Sequence, residues 1–166
     1  MSSIGQVIDA MVRYYADDVR RINHFLKVYG FAKTIGELEV LDGSTQEIVE
    51  IAALTHDIGV KNSEKKYNSS AGNYQQIEGP PEAKKLLEGL GIEAAVIERV
   101  CWLIAHHHTY ADIQGIDYQI LVEADLLVNF YEDDMSNDSV HNIGKKMFKT
   151  LSGKDIFNEI YTLMAN

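Results

Sequence analysis

Prolines are almost absent from this chain, and the two that occur are adjacent, at Pro80 and Pro81. A proline inside a helix removes a backbone hydrogen bond, so a single Pro-Pro step in 166 residues leaves room for long helices. Apolar residues recur at helical spacing, whereas the alternation of apolar and polar residues that is typical of strands is rare. We therefore predict an all-α fold, a single compact helical domain of about six to eight helices.

Apolar residues spaced three and four apart predict the individual helices, and several of the expected ends carry capping signals. The fourth of these helices is opened by Pro80-Pro81 and runs through Leu87. The others are predicted at Ile4–Tyr15, Asp17–Glu39, Thr45–Asp57, Glu93–His106, Tyr118–Tyr131, Ser139–Leu151 and Ile156–Met164.

Local signals predict how the first half of the chain is connected. Ser44 and Glu47 have the spacing of a capping box, which would open the third helix. Gly59 follows that helix and is predicted to be its left-handed C-cap glycine. Asn, Ser and Gly are dense over residues 61–77, so this segment is predicted to be a loop, with at most a fragment of helix. Loops of that length in a compact domain are usually functional or disordered.

Composition limits the class of protein and its partners. The hydrophobic fraction of 46% and the charged fraction of 24% are those of an ordinary soluble domain. The formal net charge is -10, so a nucleic-acid polymer, which needs a positive surface, is not expected as a partner. No apolar run approaches the roughly 20 residues of a membrane span, and the first residues lack the pattern of a signal peptide. Cys101 is the only cysteine, which agrees with a reducing compartment, and we expect the cytoplasm.

The histidines and one aspartate are the candidate functional residues. His24 lies inside a predicted helix, His56-Asp57 closes the next one, and Asp125 interrupts an apolar helix face. Taken singly, each has a structural explanation: His24 could donate to a backbone carbonyl, and Asp125 could pair with an arginine or cap a helix. A buried carboxylate is costly unless it is paired or bound to a metal. Together, two imidazoles and two carboxylates on different helices favour a metal site.

Such a ligand set suits several divalent metals. Imidazole and carboxylate donors bind Fe, Mn, Co, Ni or Zn, and Mg is also considered because of the carboxylates. A cation held in this way, with positions left open, activates water near neutral pH and polarises a phosphoryl oxygen. The sequence therefore predicts one or two divalent metal ions per chain.

The pattern His24, His56-Asp57 and Asp125 resembles the HD superfamily of metal-dependent phosphohydrolases. The resemblance runs from about residue 19 to residue 129, and the bare His-Asp dipeptide is its least specific part. It implies a helical HD-type domain with His24, His56, Asp57 and Asp125 as ligands of a first metal. It also implies that Asp57 or a nearby carboxylate orients the attacking water.

Two-metal members of that family add histidines on the intervening helices. By resemblance, a second site would use Asp57 as a bridge together with Glu78, His106 and His107, with Glu78 standing where such members often place a histidine. Glu78 could equally just begin a helix. The histidine triplet could equally be a solvated helix end, and His108 fits that description best.

Departures from the family narrow the substrate. Val60-Lys61 stands where guanosine tetraphosphate hydrolases carry an acidic pair and where bacterial 5′-deoxynucleotidases carry a glutamate. The Gly-Tyr-Pro segment of cyclic dinucleotide phosphodiesterases is also missing after the histidines. Lys61, four residues beyond Asp57, is predicted to contact a substrate phosphate, although a solvated loop is the competing explanation. Tyr67, Tyr74 and Tyr110 could stack on a base or could simply pack.

The preferred function is a metal-dependent phosphohydrolase that cleaves a phosphomonoester or phosphodiester of a small molecule, such as a nucleotide. The alternatives are a di-iron HD-type oxygenase and a non-catalytic metal-binding or regulatory domain. The chain is expected to be one domain over residues 1–166, with a motif-bearing core at about 19–129 and C-terminal helices at 139–164 completing it. The expected packing residues of those last helices are Phe148, Leu151, Ile156, Ile160 and Leu163.

Overall fold

A computed structural model of the chain describes residues 4–161, and in them it places nine α-helices. Helix is the only regular secondary structure in this range, so the predicted all-α class is confirmed. None of these helices combines the length and apolarity that crossing a membrane requires. The helices are α1 (Ile4–Tyr14), α2 (Val19–Leu38), α3 (Gly43–Thr55), α4 (Val60–Tyr67), α5 (Gly72–Gly89), α6 (Ala94–His106), α7 (Ile116–Glu132), α8 (Asn137–Met147) and α9 (Leu151–Tyr161).

Helices α3 and α7 form the centre of the domain. Helix α2 packs against both, α6 packs on α3, and α5 packs along α6. The second half of α3 is buried on every face, and so is most of α7, from Tyr118 to Val128 apart from Gln119. Polar residues on these two helices are therefore enclosed by protein, which is the setting in which carboxylates and imidazoles need partners.

Helix α3 begins at Gly43, two residues before the predicted start at Thr45. Its N-cap is Asp42, whose carboxylate accepts hydrogen bonds from the backbone N–H groups of Ser44 and Thr45. The capping box predicted at Ser44 and Glu47 is therefore wrong. Asp42 satisfies the free N–H groups first, and Ser44 becomes part of the first turn.

The prediction that Gly59 adopts a left-handed conformation is also wrong. Its φ is -72°, in the right-handed region, and the chain continues through it into α4. Gly59 is needed for a different reason, because α5 passes directly against it. A Cβ atom at this position would lie 2.6 Å from both the carbonyl oxygen of Gln75 and the backbone nitrogen of Gly79.

The segment 61–77, predicted as a loop, is mostly helical. Helix α4 ends at the left-handed Asn68, and α5 begins at Gly72, so only residues 68–71 lie outside a helix. Pro80 and Pro81 accordingly lie inside α5 and not in its first turn. An interior proline costs about 3 kcal/mol of helix stability. Burial of the α5 face that contains Glu78, Gly79 and Ala83 offsets this cost, which local composition cannot reveal.

The C-terminal helices pack on the far end of α7 through an aromatic cluster. The rings of Phe130, Phe148, Phe157 and Tyr161 contact one another there. Phe148 is buried as predicted, and Ile156 is partly buried. Leu151 and Ile160 are exposed, at 75% and 43%, so the prediction that they pack is wrong. Leu163 and the predicted helix end at Met164 lie outside the described residues.

Candidate metal centre

Three helices bring the four predicted ligands of the first metal together. His24 lies on α2, His56 is the C-cap of α3 with Asp57 in the turn that follows, and Asp125 lies on α7. The Nε2 atoms of His24 and His56 are 3.2 Å apart, and each lies 3.3 Å from Oδ1 of Asp125. Residues 101 positions apart in the sequence thus converge on one point, as the ordered pattern predicts.

Asp57 lies between this group and a further histidine. Its Oδ2 atom is 3.3 Å from Nε2 of His24 and 3.5 Å from Nε2 of His56. Its Oδ1 atom is 3.5 Å from Nε2 of His107, at the end of α6. The two carboxylate oxygens therefore face two different sets of nitrogen donors, which is the arrangement expected of a bridging ligand.

The outer nitrogen of each of these three histidines is already used. Nδ1 of His24 faces Oε2 of Glu132 at 2.8 Å, and the Nδ1 atoms of His56 and His107 face the carbonyl oxygens of Ala53 and Ile104, both at 2.8 Å. Each acceptor requires a proton on Nδ1, so a neutral ring carries its lone pair on Nε2, pointing inward. Metal-binding histidines in proteins are oriented in this way.

Two buried atoms at this point have no hydrogen-bond partner among the described residues. They are Nε2 of His107 and Oδ1 of Asp125. A buried polar atom without a partner costs about 1–3 kcal/mol. Two imidazole lone pairs that face each other at 3.2 Å also repel unless a positive charge lies between them. The residues present therefore fit a divalent cation, which would satisfy all of these atoms at once.

The donor atoms form two groups that share Asp57. The first consists of His24, His56 and Asp57, and the second of Asp57, His107 and His108. In each group the donor atoms lie within 4.8 Å of one another. His108 can contribute Nδ1, because its Nε2 donates to Oε1 of Gln75 at 3.1 Å.

The charges in this cluster shift the pKa values of its members. Burial alone would lower the pKa of His24, but the neighbouring carboxylates of Asp125 and Asp57 outweigh it and raise the pKa to about 11. The pKa values of Asp57 and Asp125 are lowered because the imidazoles outweigh the opposing effect of burial. For His108, burial and the neighbouring His107 lower the pKa to about 4, so its ring is neutral at physiological pH. Without a cation, protons on the imidazoles supply the positive charge.

The second group of donors differs from the ligand set predicted for a second metal. Among the described residues, neither potential metal group includes Glu78 or His106. The Glu78 carboxylate accepts hydrogen bonds from Nζ of Lys66 at 2.7 Å and the hydroxyl of Tyr67 at 3.0 Å. The His106 ring stacks on Trp102, away from the donors.

His108 takes the place expected for His106. It was predicted to be a solvated helix end, but it lies partly buried against His107, with ring centroids 3.9 Å apart. Helix α6 ends at His106, and the turn after it brings both following imidazoles inward. When three consecutive histidines stand at a helix end, the sequence does not tell which rings face inward unless the position of the last turn is known.

Lys61 does not lie in the centre. Its Nζ donates to the carbonyl oxygen of Tyr14 at 2.9 Å and lies 5.0 Å from the centroid of the Tyr14 ring. The structure therefore gives no support to the predicted phosphate contact. The guanidinium groups at this cleft come instead from Arg20 and Arg21, on the first turn of α2.

The cleft has a volume of ≈ 350 Å³ and opens beside the donor atoms of His24, Asp57, His108 and Asp125. Sequence analysis missed Asn129 and Glu132, which line it from α7. A signal was present, because residues four and seven positions after Asp125 lie on the same face of a helix.

The comparisons with known proteins agree with this geometry. The family model described as HD domain matches residues 21–148, more than half of the chain. A solved structure titled a predicted HD superfamily hydrolase, from an uncultured Thermotogales bacterium, has a TM-score of 0.70 at 20% sequence identity. The match covers 97% of this chain and 86% of that one, and at this identity it concerns the fold. The comparison with curated proteins yields no match. By the family match, the chain belongs to the HD domain family.

Proposed function

We propose that the protein is a metal-dependent phosphohydrolase that cleaves a phosphate ester of a small molecule with an activated water. The observation that carries the proposal is the convergence of imidazole and carboxylate donors at the wall of an open cleft. A buried metal with a purely structural role would be closed on all sides by protein ligands, whereas a catalytic metal keeps a position open.

The ligands for one cation are His24, His56, Asp57 and Asp125, and those for a second are Asp57, His107 and His108. Bound by these residues, a divalent cation would supply a water of lowered pKa and would polarise a phosphoryl oxygen. The metals that suit the donor set are Fe, Mn, Co, Ni, Zn and Mg.

The chain's own residues divide the remaining work. Asp57 has a carboxylate oxygen on each side, so we assign it the orientation of the attacking water as well as ligation. Arg20, on the first turn of α2, is the guanidinium that binds the phosphate, because planar guanidinium groups recognise phosphate oxygens in pairs. Glu132 and the carbonyl oxygen of Ala53 orient the rings of His24 and His56, because each accepts a hydrogen bond from an Nδ1 atom.

A cleft of this size takes a small phosphorylated compound and not a polymer. The net charge of -10 points in the same direction, since a nucleic acid would be repelled over most of the surface. The proposed partner is therefore a small phosphorylated substrate, and a cytoplasmic location, where such compounds occur, is proposed with it.

The test compares metal content with phosphate release in the same preparations. The wild-type protein, purified without chelator, is expected to contain a divalent metal and to release phosphate from members of a panel of phosphate esters. Asp57→Asn is expected to reduce the rate at least a hundredfold. Asp155→Asn, the same change at an exposed position of α9, should leave both metal content and rate unchanged.

Metal without phosphate release from any ester would contradict the proposal. Oxygen consumption by the iron-loaded protein would then favour the di-iron oxygenase. Metal binding with neither reaction would favour a regulatory domain.

A further inference from the structure

The cleft beside the donor groups has an unusual lining for a small-molecule site. Ligand pockets are lined mainly by apolar and aromatic side chains, with a few polar groups that fix orientation. Among the residues from 4 to 161 that line this cleft, Val60 is the only apolar one, and the others are charged or polar. The functional groups that a ligand meets here are mostly charged or polar, which favours a ligand that carries polar groups of its own.

None of the three tyrosines that could bind a base is among the residues that line the described cleft. The rings of Tyr67 and Tyr74 stack on each other, with centroids 4.2 Å apart, and the Tyr67 hydroxyl is bound to Glu78. Tyr110 is likewise absent from the described lining of the cleft. Enzymes and binding proteins that recognise a nucleobase hold it by stacking on aromatic or apolar side chains. The aromatic rings that line the described part of this cleft are the imidazoles of His24 and His108, which belong to the donor groups, so Val60 is the only apolar side chain left for a base.

The charges of the cleft limit the number of phosphates that it accepts. Arg21 is held by Asp18 at 2.8 Å and by Glu64 at 2.6 Å, so its charge is largely neutralised. Arg20 is 77% exposed and reaches only to 4.0 Å from Asp133, which leaves it able to turn onto a phosphate. Glu132 is likewise held by Lys27 and His24, but Asp133 lines the same cleft with a side chain that is 55% exposed, and it would repel a second or third phosphate group.

Two uncharged polar side chains remain for the rest of the ligand. Asn129 lies one turn beyond Asp125 on α7, and Ser70 lies between α4 and α5. The side chains of both are without a hydrogen-bond partner among the described residues, unlike Gln75, which is held by its contacts to Ser70 and His108. An amide and a hydroxyl can each donate to and accept from sugar hydroxyl groups.

We infer that the substrate is the phosphomonoester of a small polyhydroxylated compound, of the sugar phosphate kind, and not a nucleotide. The inference rests on the proposed function, since it names the substrate of the same site. Arg20 binds the phosphate, Asn129 and Ser70 bind hydroxyl groups, and Asp133, just after α7, excludes longer phosphate chains. The volume of ≈ 350 Å³ lies at the small end of the range for ligand pockets.

The test uses three substrates that share one ribose 5-phosphate unit. Ribose 5-phosphate, AMP and ATP are given separately to the metal-loaded protein, and kcat/KM for phosphate release is compared. We expect ribose 5-phosphate to be preferred at least tenfold over AMP, and ATP to be the poorest. AMP hydrolysed as well as or better than ribose 5-phosphate would overturn this inference and leave the proposed function intact. No phosphate release from any phosphate ester by the metal-loaded protein would overturn both.

A variant links the preference to the cleft. Asn129→Leu should lower the ratio of kcat/KM for ribose 5-phosphate to that for p-nitrophenyl phosphate, which has no hydroxyl groups, by at least fivefold. Asn142→Leu, at an exposed position of α8, is the matched control and should keep the wild-type ratio. Asn129→Ala is the second variant if the leucine is not tolerated, with thermal unfolding as the check on folding. An unchanged ratio in a folded Asn129 variant would overturn the assignment.

Discussion

Glu132 should control metal affinity although it is not expected to touch the metal. It lies at the end of α7 with a side chain that is 13% exposed, and its Oε2 accepts a hydrogen bond from Nδ1 of His24 at 2.8 Å. Its other oxygen lies 2.5 Å from Nζ of Lys27. The carboxylate therefore fixes the His24 ring and places the Nε2 lone pair inward.

The size of the effect follows from the bond that is lost. A hydrogen bond to a charged group contributes about 1.5–3 kcal/mol, roughly twice a neutral one. Glu132→Gln keeps an acceptor but loses the charge, so metal affinity should fall about tenfold, or about 1.4 kcal/mol. Glu132→Ala removes the acceptor altogether, and the loss should approach a hundredfold.

The assay is a competition titration of Zn²⁺ or Mn²⁺ against a chelator of known affinity. Glu159→Gln, at an exposed position of α9, provides the same chemical change away from the site and should bind metal like the wild type. Thermal unfolding of the chelated proteins separates a loss of folding from a loss of affinity. If both Glu132 variants bound metal within twofold of the wild type, the orienting role would be refuted.

Three further changes test the fold and the cluster. Glu123, which is fully buried, accepts hydrogen bonds from two backbone N–H groups ahead of α9, and Glu123→Ala should lower the free energy of unfolding by about 2–4 kcal/mol in a urea titration. Gly59→Ala should lower the free energy of unfolding by about 1–3 kcal/mol, because the added Cβ would meet backbone atoms of α5. Gly30→Ala, which has open space around it, should raise the free energy of unfolding by about 0.5–1 kcal/mol. Equal effects of the two substitutions would contradict the close approach of α5 to Gly59. In the metal-free cluster the pKa of His24 is raised from 6.5 to about 11. Its protonated ring therefore contributes fully to the free energy of unfolding below pH 6.5, and this contribution is lost as the pH rises towards 11. Metal binds the deprotonated ring, so the difference in Tm between metal-loaded and chelated protein should widen above about pH 6.5, and a constant difference would argue against His24 as a ligand.

His24 and Asp125 lie on helices with an apolar stripe, and His56-Asp57 directly follows the last turn of a third. An imidazole or carboxylate in such a position faces the interior of the domain, where it needs a partner or a metal. The resemblance of this ordered set to the HD superfamily then predicts that the four residues meet at one metal.

The residues that were misplaced lie where local composition and tertiary packing disagree. Asn, Ser and Gly over residues 61–77 favour a loop, but burial of the face that contains Glu78 and Gly79 against its neighbours holds α5 helical. Whether His106 or His108 faces inward depends on the last turn of α6, a boundary of one or two residues that spacing does not resolve. Arg20 is recognisable as a cleft residue only once the helices are packed together.

The donors of the cluster come from four separated parts of the chain, namely α2, the end of α3, the end of α6 and α7. No shorter piece of the protein contains a complete set, so the cluster exists only after the long connections between these helices have closed. Local opening of any one of them would dismantle it. A cation that binds the assembled cluster must therefore slow amide hydrogen exchange in all four segments together, and to the same extent, as one cooperative unit.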